Sequence, residues 1–289
     1  MAKSETSDSK AGYLSTLQRG LAVLELVATT DTEWSAREIA AARGLSLGVT
    51  YHLLRTLVHE GYLVRTPTNG FQLGSRLGML FDKYQEQLKP AEHLIQTLHG
   101  LRALTGESSY ITGWSNQSIA ILYYLEGEGA VRVRRTAIGS SGNVHARASA
   151  RAVLAFVPEA QLGRYVRAGD MTKLTDKTVT DPRVLLENLR TIRQTGLSFE
   201  QEEYSPGVGC LASPVLDTTG FAIAALGMSV ALTVYAERFP ELSRAVHHAA
   251  REASTQAGFR GAYPDLLALD AEPPSSTELA TLTERSEFK

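Results

Sequence analysis

Apolar positions along residues 16–60 recur at three- and four-residue intervals in three short blocks, each ended by glycine or a polar turn. Leu17, Leu21, Leu24 and Val27 form one stripe and predict a helix over 16–28, with Ser15 and Gln18 spaced as a capping box. Ser35 and Glu38 repeat that spacing ahead of Ile39 and Ala40, and Gly44 follows as a left-handed helix stop. Leu45 and Ser46 form a turn, with Ser46 placed to cap the next helix. Thr50, Leu53, Leu54 and Leu57 give that helix, over 47–60, one mostly apolar face. The period then changes: 62–66 and 71–73 read as short strands, with Asn69-Gly70 as a tight turn in which both residues tolerate positive φ. Two helices and a hairpin, with the first helix packed beneath, predict a winged helix-turn-helix.

A second stripe of the 47–60 helix has no place in a core. Gly48, Tyr51, His52 and Arg55 fall at i, i+3, i+4 and i+7, and the three side chains can donate hydrogen bonds. Such a stripe is ordinarily a solvated face. The hairpin that follows turns the reading toward insertion in a DNA major groove. The candidate contacts are Ser46, Gly48, Tyr51, His52 and Arg55, with Arg65 on the hairpin meeting a phosphate and Asn69 at its tip. Charge restricts the kind of binder. Lys and Arg number 29 against 31 Asp and Glu, a formal net charge of −2, which is not a basic footprint. A dimeric reader of a roughly palindromic double-stranded operator, making few phosphate contacts, fits this balance.

Beyond the hairpin, Leu77, Leu80, Phe81 and Tyr84 predict a linker helix over 75–87 before Pro90. Its apolar stripe is too large for the small domain to bury, so it serves either a dimer contact or docking on the second domain. From residue 91 the pattern is α+β. Helices are expected at 91–104, 149–156, 158–168, from the Asp181-Pro182 cap to Gly196, and at 235–257. Strands are expected at 108–114, 119–126, 131–137, 197–202, 210–216 and 221–229, forming an antiparallel sheet flanked by helices. The domains read as an arm at 1–13, the winged unit at 14–74, the linker at 75–90, an α+β domain at 91–260 and a tail at 261–289 that is not expected to pack.

The order of several short motifs resembles that of the IclR-type transcription regulators. They include Leu17-Gln-Arg-Gly-Leu-Ala-Val-Leu24, Leu53-Leu-Arg-Thr-Leu57 and Glu60-Gly-Tyr-Leu63. In the second half Val144-His-Ala146, Thr195-Gly-Leu-Ser-Phe-Glu-Gln-Glu-Glu203, Gly207-Val-Gly-Cys-Leu-Ala212 and Ala224-Ala-Leu-Gly-Met-Ser229 continue the resemblance, over roughly 14–258. It implies a GAF-like sensor domain, a dimer of dimers, and effector contacts at the matched positions Ala148, Ser149, Glu200, Cys210, Gly227 and Ser229. Gly227 stands where the family often carries serine. Arg134, Arg147 and Arg151 lie near the same loop, and an arginine there can clamp a carboxylate. The effector is therefore expected to be a small organic acid, aromatic if Tyr110, Trp114 and Tyr123 line its site.

Other classes fit less well. There is no nucleophile elbow, phosphate loop or paired zinc motif, so no enzyme, cofactor or metal is expected. Cys210 with His145 would be the thiol-hydrolase candidate, but Cys210 sits in an apolar strand. A winged-helix protein adaptor is the remaining alternative, separable by whether Tyr51, His52 and Arg55 are needed for DNA. The resemblance implies a repressor of a catabolic operon, and one cysteine, a polar N-terminus and no apolar run of membrane length fit an expectation that it works in the cytoplasm.

Overall fold

The computed structural model describes residues 13–30, 32–128, 138–168 and 171–266, and its contacts divide the chain into two units, Met1–Gln87 and Leu88–Lys289. The first unit is built on α1 (Ser15–Val27), α2 (Ala36–Arg43), α3 (Leu47–His59), the hairpin β1 (Leu63–Arg65) and β2 (Phe71–Leu73), and most of α4 (Arg76–Leu88). The Ser35 capping box is complete: Glu38 N–H donates to Ser35 Oγ at 3.3 Å and Ser35 N–H to Glu38 Oε2 at 2.8 Å. Gly44 ends α2 at φ 61°, and Ser46 Oγ accepts from Val49 N–H to open α3. Val23, Val27, Ile39, Leu53, Leu54, Leu63 and Phe71 make the core, each such side chain contributing about 1.5–3 kcal/mol when fully buried.

Three sequence expectations fail in this unit. Ser15 forms no cap, because the helix begins at Ser15 itself and Leu14 is its N-cap residue. The predicted stripe of α1 is only half right: Val27 is buried and Leu24 packs against the core, but Leu17 and Leu21 are 59% and 51% exposed, and Val23, outside the stripe, is fully buried. The hairpin does not turn on two positive-φ residues: of Asn69 and Gly70, only Asn69 takes positive φ, at 66°. Thr66 N–H donates to Gly70 O and Asn69 N–H to Thr66 O, so the connection is a longer loop. Gly70 is required for another reason. A Cβ there would stand 2.6 Å from Glu33 Cδ. Trp34 and Phe71 exchange both backbone hydrogen bonds, at 3.1 and 2.8 Å, which ties the wing to the strand-like segment before α2.

The second unit is an antiparallel five-stranded sheet. Its strands are β3 (Ser108–Ser115), β4 (Ser118–Leu125), β5 (Ser198–Gln201), β6 (Val208–Leu216) and β7 (Ala222–Ala231), in the order β4-β3-β7-β6-β5. Helices α5 (Glu92–Thr105) and α9 (Leu232–Gln256) supply Leu98, Phe239 and Val246 to the core on one face, with Ile111, Leu211 and Leu226 from the sheet. On the other face lie α6 (Ala148–Ala155) and α8 (Pro182–Thr195), packed on Ile119, Ala212 and Ala225. A short helix, α7 (Glu159–Ala168), follows α6. Asp181 caps α8 through Arg183 N–H, with Pro182 in its first turn, and Gly196 closes it at φ 66°. The expected strand at 131–137 lies outside the described residues. The tail reading needs correction at its start. Tyr263 donates to Pro214 O at 2.6 Å and packs its ring on His247, so the packed unit reaches at least residue 263.

Candidate functional site

The α3 stripe is exposed as a set: Ser46, Gly48, Tyr51, His52 and Arg55 all face solvent, opposite the buried Thr50, Leu53 and Leu54. Arg65 and Asn69 are exposed on the wing. Ser46 spends its oxygen as the acceptor for Val49 N–H but keeps a hydroxyl proton to donate. A helix held by one apolar face and presenting a donor-bearing face can enter a major groove.

In the second unit the expected effector residues gather on the α6 side of the sheet. Period-two alternation puts Tyr110 and Thr112 of β3, Glu200 of β5, Cys210 of β6, and Gly227 and Ser229 of β7 on that face. Arg147, Ala148 and Ser149 begin α6 above it, all buried. Thr112 donates to Ser149 Oγ at 2.7 Å, and Cys210 Sγ meets Ser229 Oγ at 3.2 Å. Gly227 has its own reason to be glycine: a Cβ there would stand 2.6 Å from Tyr110 Cε2. The ring of Tyr110 thus takes the volume a serine side chain would use. Arg134 lies outside the described residues.

Two polar groups in this cluster have unused capacity. Arg147 Nη1 makes long hydrogen bonds to Ser140 O and Gly142 O, at 3.4 and 3.3 Å, while Nη2 is buried without a partner. Glu200 Oε2 accepts from Glu203 N–H at 2.7 Å and Tyr204 N–H at 3.3 Å, while Oε1 is buried without a hydrogen bond. Burial pushes the Glu200 carboxyl up to about 7, against the pull of the Cys210 thiol and the Arg151 guanidinium. Burial also lowers Arg147 from its ordinary value.

Arg151 is not a free clamp. It is 1% exposed and donates to Glu203 through Nη1 at 3.0 Å and Nη2 at 3.3 Å, with Nη2 also 2.6 Å from Phe199 O. Glu203 in turn receives Thr178 Oγ1 on its carbonyl at 2.7 Å. Sequence reasoning missed this junction. The signal was an arginine inside Ala148-Ser-Ala-Arg-Ala-Val-Leu-Ala155, a helix with no other charge. The aromatic expectation also divides. Trp114 stays on the α6 side, its ring tilted against Tyr165 with centroids 5.9 Å apart, but Tyr123 packs with the α5–α9 core, across the sheet.

The thiol-hydrolase alternative has no support in this geometry. His145 Nε2 meets Thr172 O at 3.1 Å, and burial raises the Cys210 thiol well above its ordinary value, which disfavours a thiolate nucleophile.

Comparison with known proteins agrees with this architecture. Residues 84–255 match the family model of the bacterial transcriptional regulator IclR C-terminal domain, and 16–67 match the IclR helix-turn-helix domain. The chain belongs to the IclR family. Among IclR relatives, the Glycerol operon regulatory protein of Streptomyces griseus is 29% identical over 220 residues, covering 76% of this chain and 85% of that protein. The HTH-type transcriptional repressor AllR of Salmonella typhimurium is 25% identical, covering 84% and 90%. Among solved structures, the Thermotoga maritima IclR superposes with a TM-score of 0.70 at 24% identity, covering 86% of this chain and all of that one. An IclR homolog from Microbacterium hydrocarbonoxydans, complexed with 4-hydroxybenzoate, gives 0.64 at 21%, covering 84% and 99%. These relatives are DNA-binding regulators rather than enzymes, and the chain shares their division into a helix-turn-helix domain and an α+β effector domain.

Proposed function

We propose that this IclR-family regulator represses a catabolic operon from the cytoplasm and changes its operator affinity when a small organic acid binds beneath α6. The observation that carries the effector reading is the pairing of spare groups in one buried cluster. Arg147 Nη2 is a charged donor without an acceptor, and Glu200 Oε1 makes no full hydrogen bond, with only the weak donor of the Cys210 thiol drawn toward its carboxyl. A carboxylate on Arg147 and a hydroxyl on Glu200 would satisfy both, and buried polar groups left unpaired are costly. The Tyr110 ring beside Gly227 offers an aromatic wall, and the 4-hydroxybenzoate complex of the Microbacterium protein is in keeping with an aromatic hydroxy acid. Ala148, Ser149, Cys210 and Ser229 complete the site. The repressor reading draws on the named role of AllR.

DNA is read by Tyr51, His52 and Arg55 of α3, with Ser46 and Gly48 at its start and the wing residues Arg65 and Asn69 on the backbone. A homodimer, or a dimer of dimers, supplies two copies of α3 to a roughly palindromic site. Its contact is the apolar groove of about 920 Å³ lined by Leu14, Leu17, Leu21, Leu57, Leu77 and Leu80. For the effector to act, it must bind one arrangement of the DNA domains better than another.

Gel shifts on the intergenic DNA beside the gene, with competitor present, test the reading. A discrete complex lost on Arg55→Ala is expected. Thermal-shift titration with aliphatic and aromatic acids should then find one that stabilises the wild type and not Arg147→Met. Silence across the whole panel would sink the organic-acid assignment.

A further inference from the structure

We infer that Leu47 and Val49 read thymine methyl groups, so that each operator half-site carries A·T pairs beneath the leading turn of α3. The inference goes beyond DNA binding to the bases selected, and it rests on α3 being the recognition helix. The Ser46 cap fixes where α3 begins and leaves Leu47, Gly48 and Val49 as its opening turn. Leu47 is 41% and Val49 38% exposed, and neither belongs to the core of its unit. Neither lines the apolar groove between α1 and α4, so that groove does not account for them. Gly48 stands between them, and a Cβ there would meet nothing within 4 Å, so the backbone itself can approach a base edge.

The opening residues of a recognition helix are those that meet base edges. In the major groove only thymine offers an apolar group, its 5-methyl, and apolar side chains recognise it by contact. Phosphates would call for donors at these positions, and the rest of the stripe supplies donors further along, from Tyr51, His52 and Arg55. The two apolar shoulders therefore select methyl groups while the polar residues bond to the remaining edges.

The test uses the full-length protein and the operator that gives a discrete complex, with each thymine in turn replaced by deoxyuridine, which deletes only the methyl. One or two positions in each half-site should lose about fourfold in affinity, the value of one buried methyl-sized group. In Leu47→Ala or Val49→Ala the loss at the matching position should fall below about twofold. Uracil tolerated at every position by the wild type overturns the inference while leaving operator binding intact. So does discrimination that persists in the Leu47→Ala, Val49→Ala double variant. If no discrete complex forms on any DNA, the inference falls together with the operator reading.

Discussion

The ring of Tyr110 on β3 fills the space that a side chain at Gly227 on β7 would need, with Cε2 2.6 Å from the site of a Cβ. The two residues are register partners on adjacent strands, so the conflict cannot be relieved by sliding one strand. Gly227→Ala is expected to cost about 1–3 kcal/mol as overpacking in an ordered core. In a Tyr110→Leu background most of that cost should vanish. Urea denaturation of the four proteins checks it, and simple additivity would show that the ring is not what the alanine meets.

Glu200 gives a signed pH dependence. Its carboxyl titrates at about 7 in the fold against an ordinary 4.5. Between those values the native state keeps a proton that the unfolded chain has released, so stability falls as pH rises through this window. Glu200→Gln is expected to remove up to roughly 3 kcal/mol of that fall. Melting curves at pH 5 and pH 8 for both proteins decide this; an equal loss in the two would contradict it. The same sign applies to an acidic effector, which should bind more weakly once Glu200 ionises.

The pair Arg151–Glu203 is buried on both sides, at 1% and 3% side-chain exposure. Arg151→Met alone leaves a carboxylate in the core and is expected to destabilise by about 3–5 kcal/mol. Adding Glu203→Leu should recover most of it, since the carboxylate goes too. Chemical denaturation of the single and double variants measures this, and a double variant worse than the single would refute the charge argument.

Leu17 and Leu80 face the open groove of the first unit. Leu17→Glu and Leu80→Glu should each shift the protein toward monomer in sedimentation and weaken operator binding at least tenfold, with melting temperature nearly unchanged. A dimer that persists in both variants would move the interface elsewhere.

Much of this architecture was legible because local chemistry marks element ends. The Ser35–Glu38 box, the Ser46 cap, the Asp181-Pro182 start and the stops at Gly44 and Gly196 each act within a few residues. What a local pattern does not carry is the partner of a face. Helix α1 has apolar residues on two sides, and periodicity included Leu17 and Leu21, which stay exposed, while passing over Val23, which packing uses. Tyr123 was grouped with Tyr110 by nearness in the chain, although strand alternation and the order β4-β3-β7 put it across the sheet. The Arg151–Glu203 pair spans 52 positions and required the sheet to exist before it could be seen. The Gly70 requirement likewise came from Glu33, 37 residues earlier, rather than from the turn.

The Trp34–Phe71 exchange of hydrogen bonds has a consequence for how the protein meets its operator. Glu33 also holds Thr68 by a side-chain hydrogen bond, so both the base and the loop of the wing are fastened to the segment that leads into α2. A loop left loose would have to surrender its conformational freedom on arrival at the duplex, at a cost of about 1–2 kcal/mol for each residue frozen. Here that entropy is spent during folding, so the wing is held as a stiff ruler beside α3, and the spacing between the two elements is fixed before any DNA is touched.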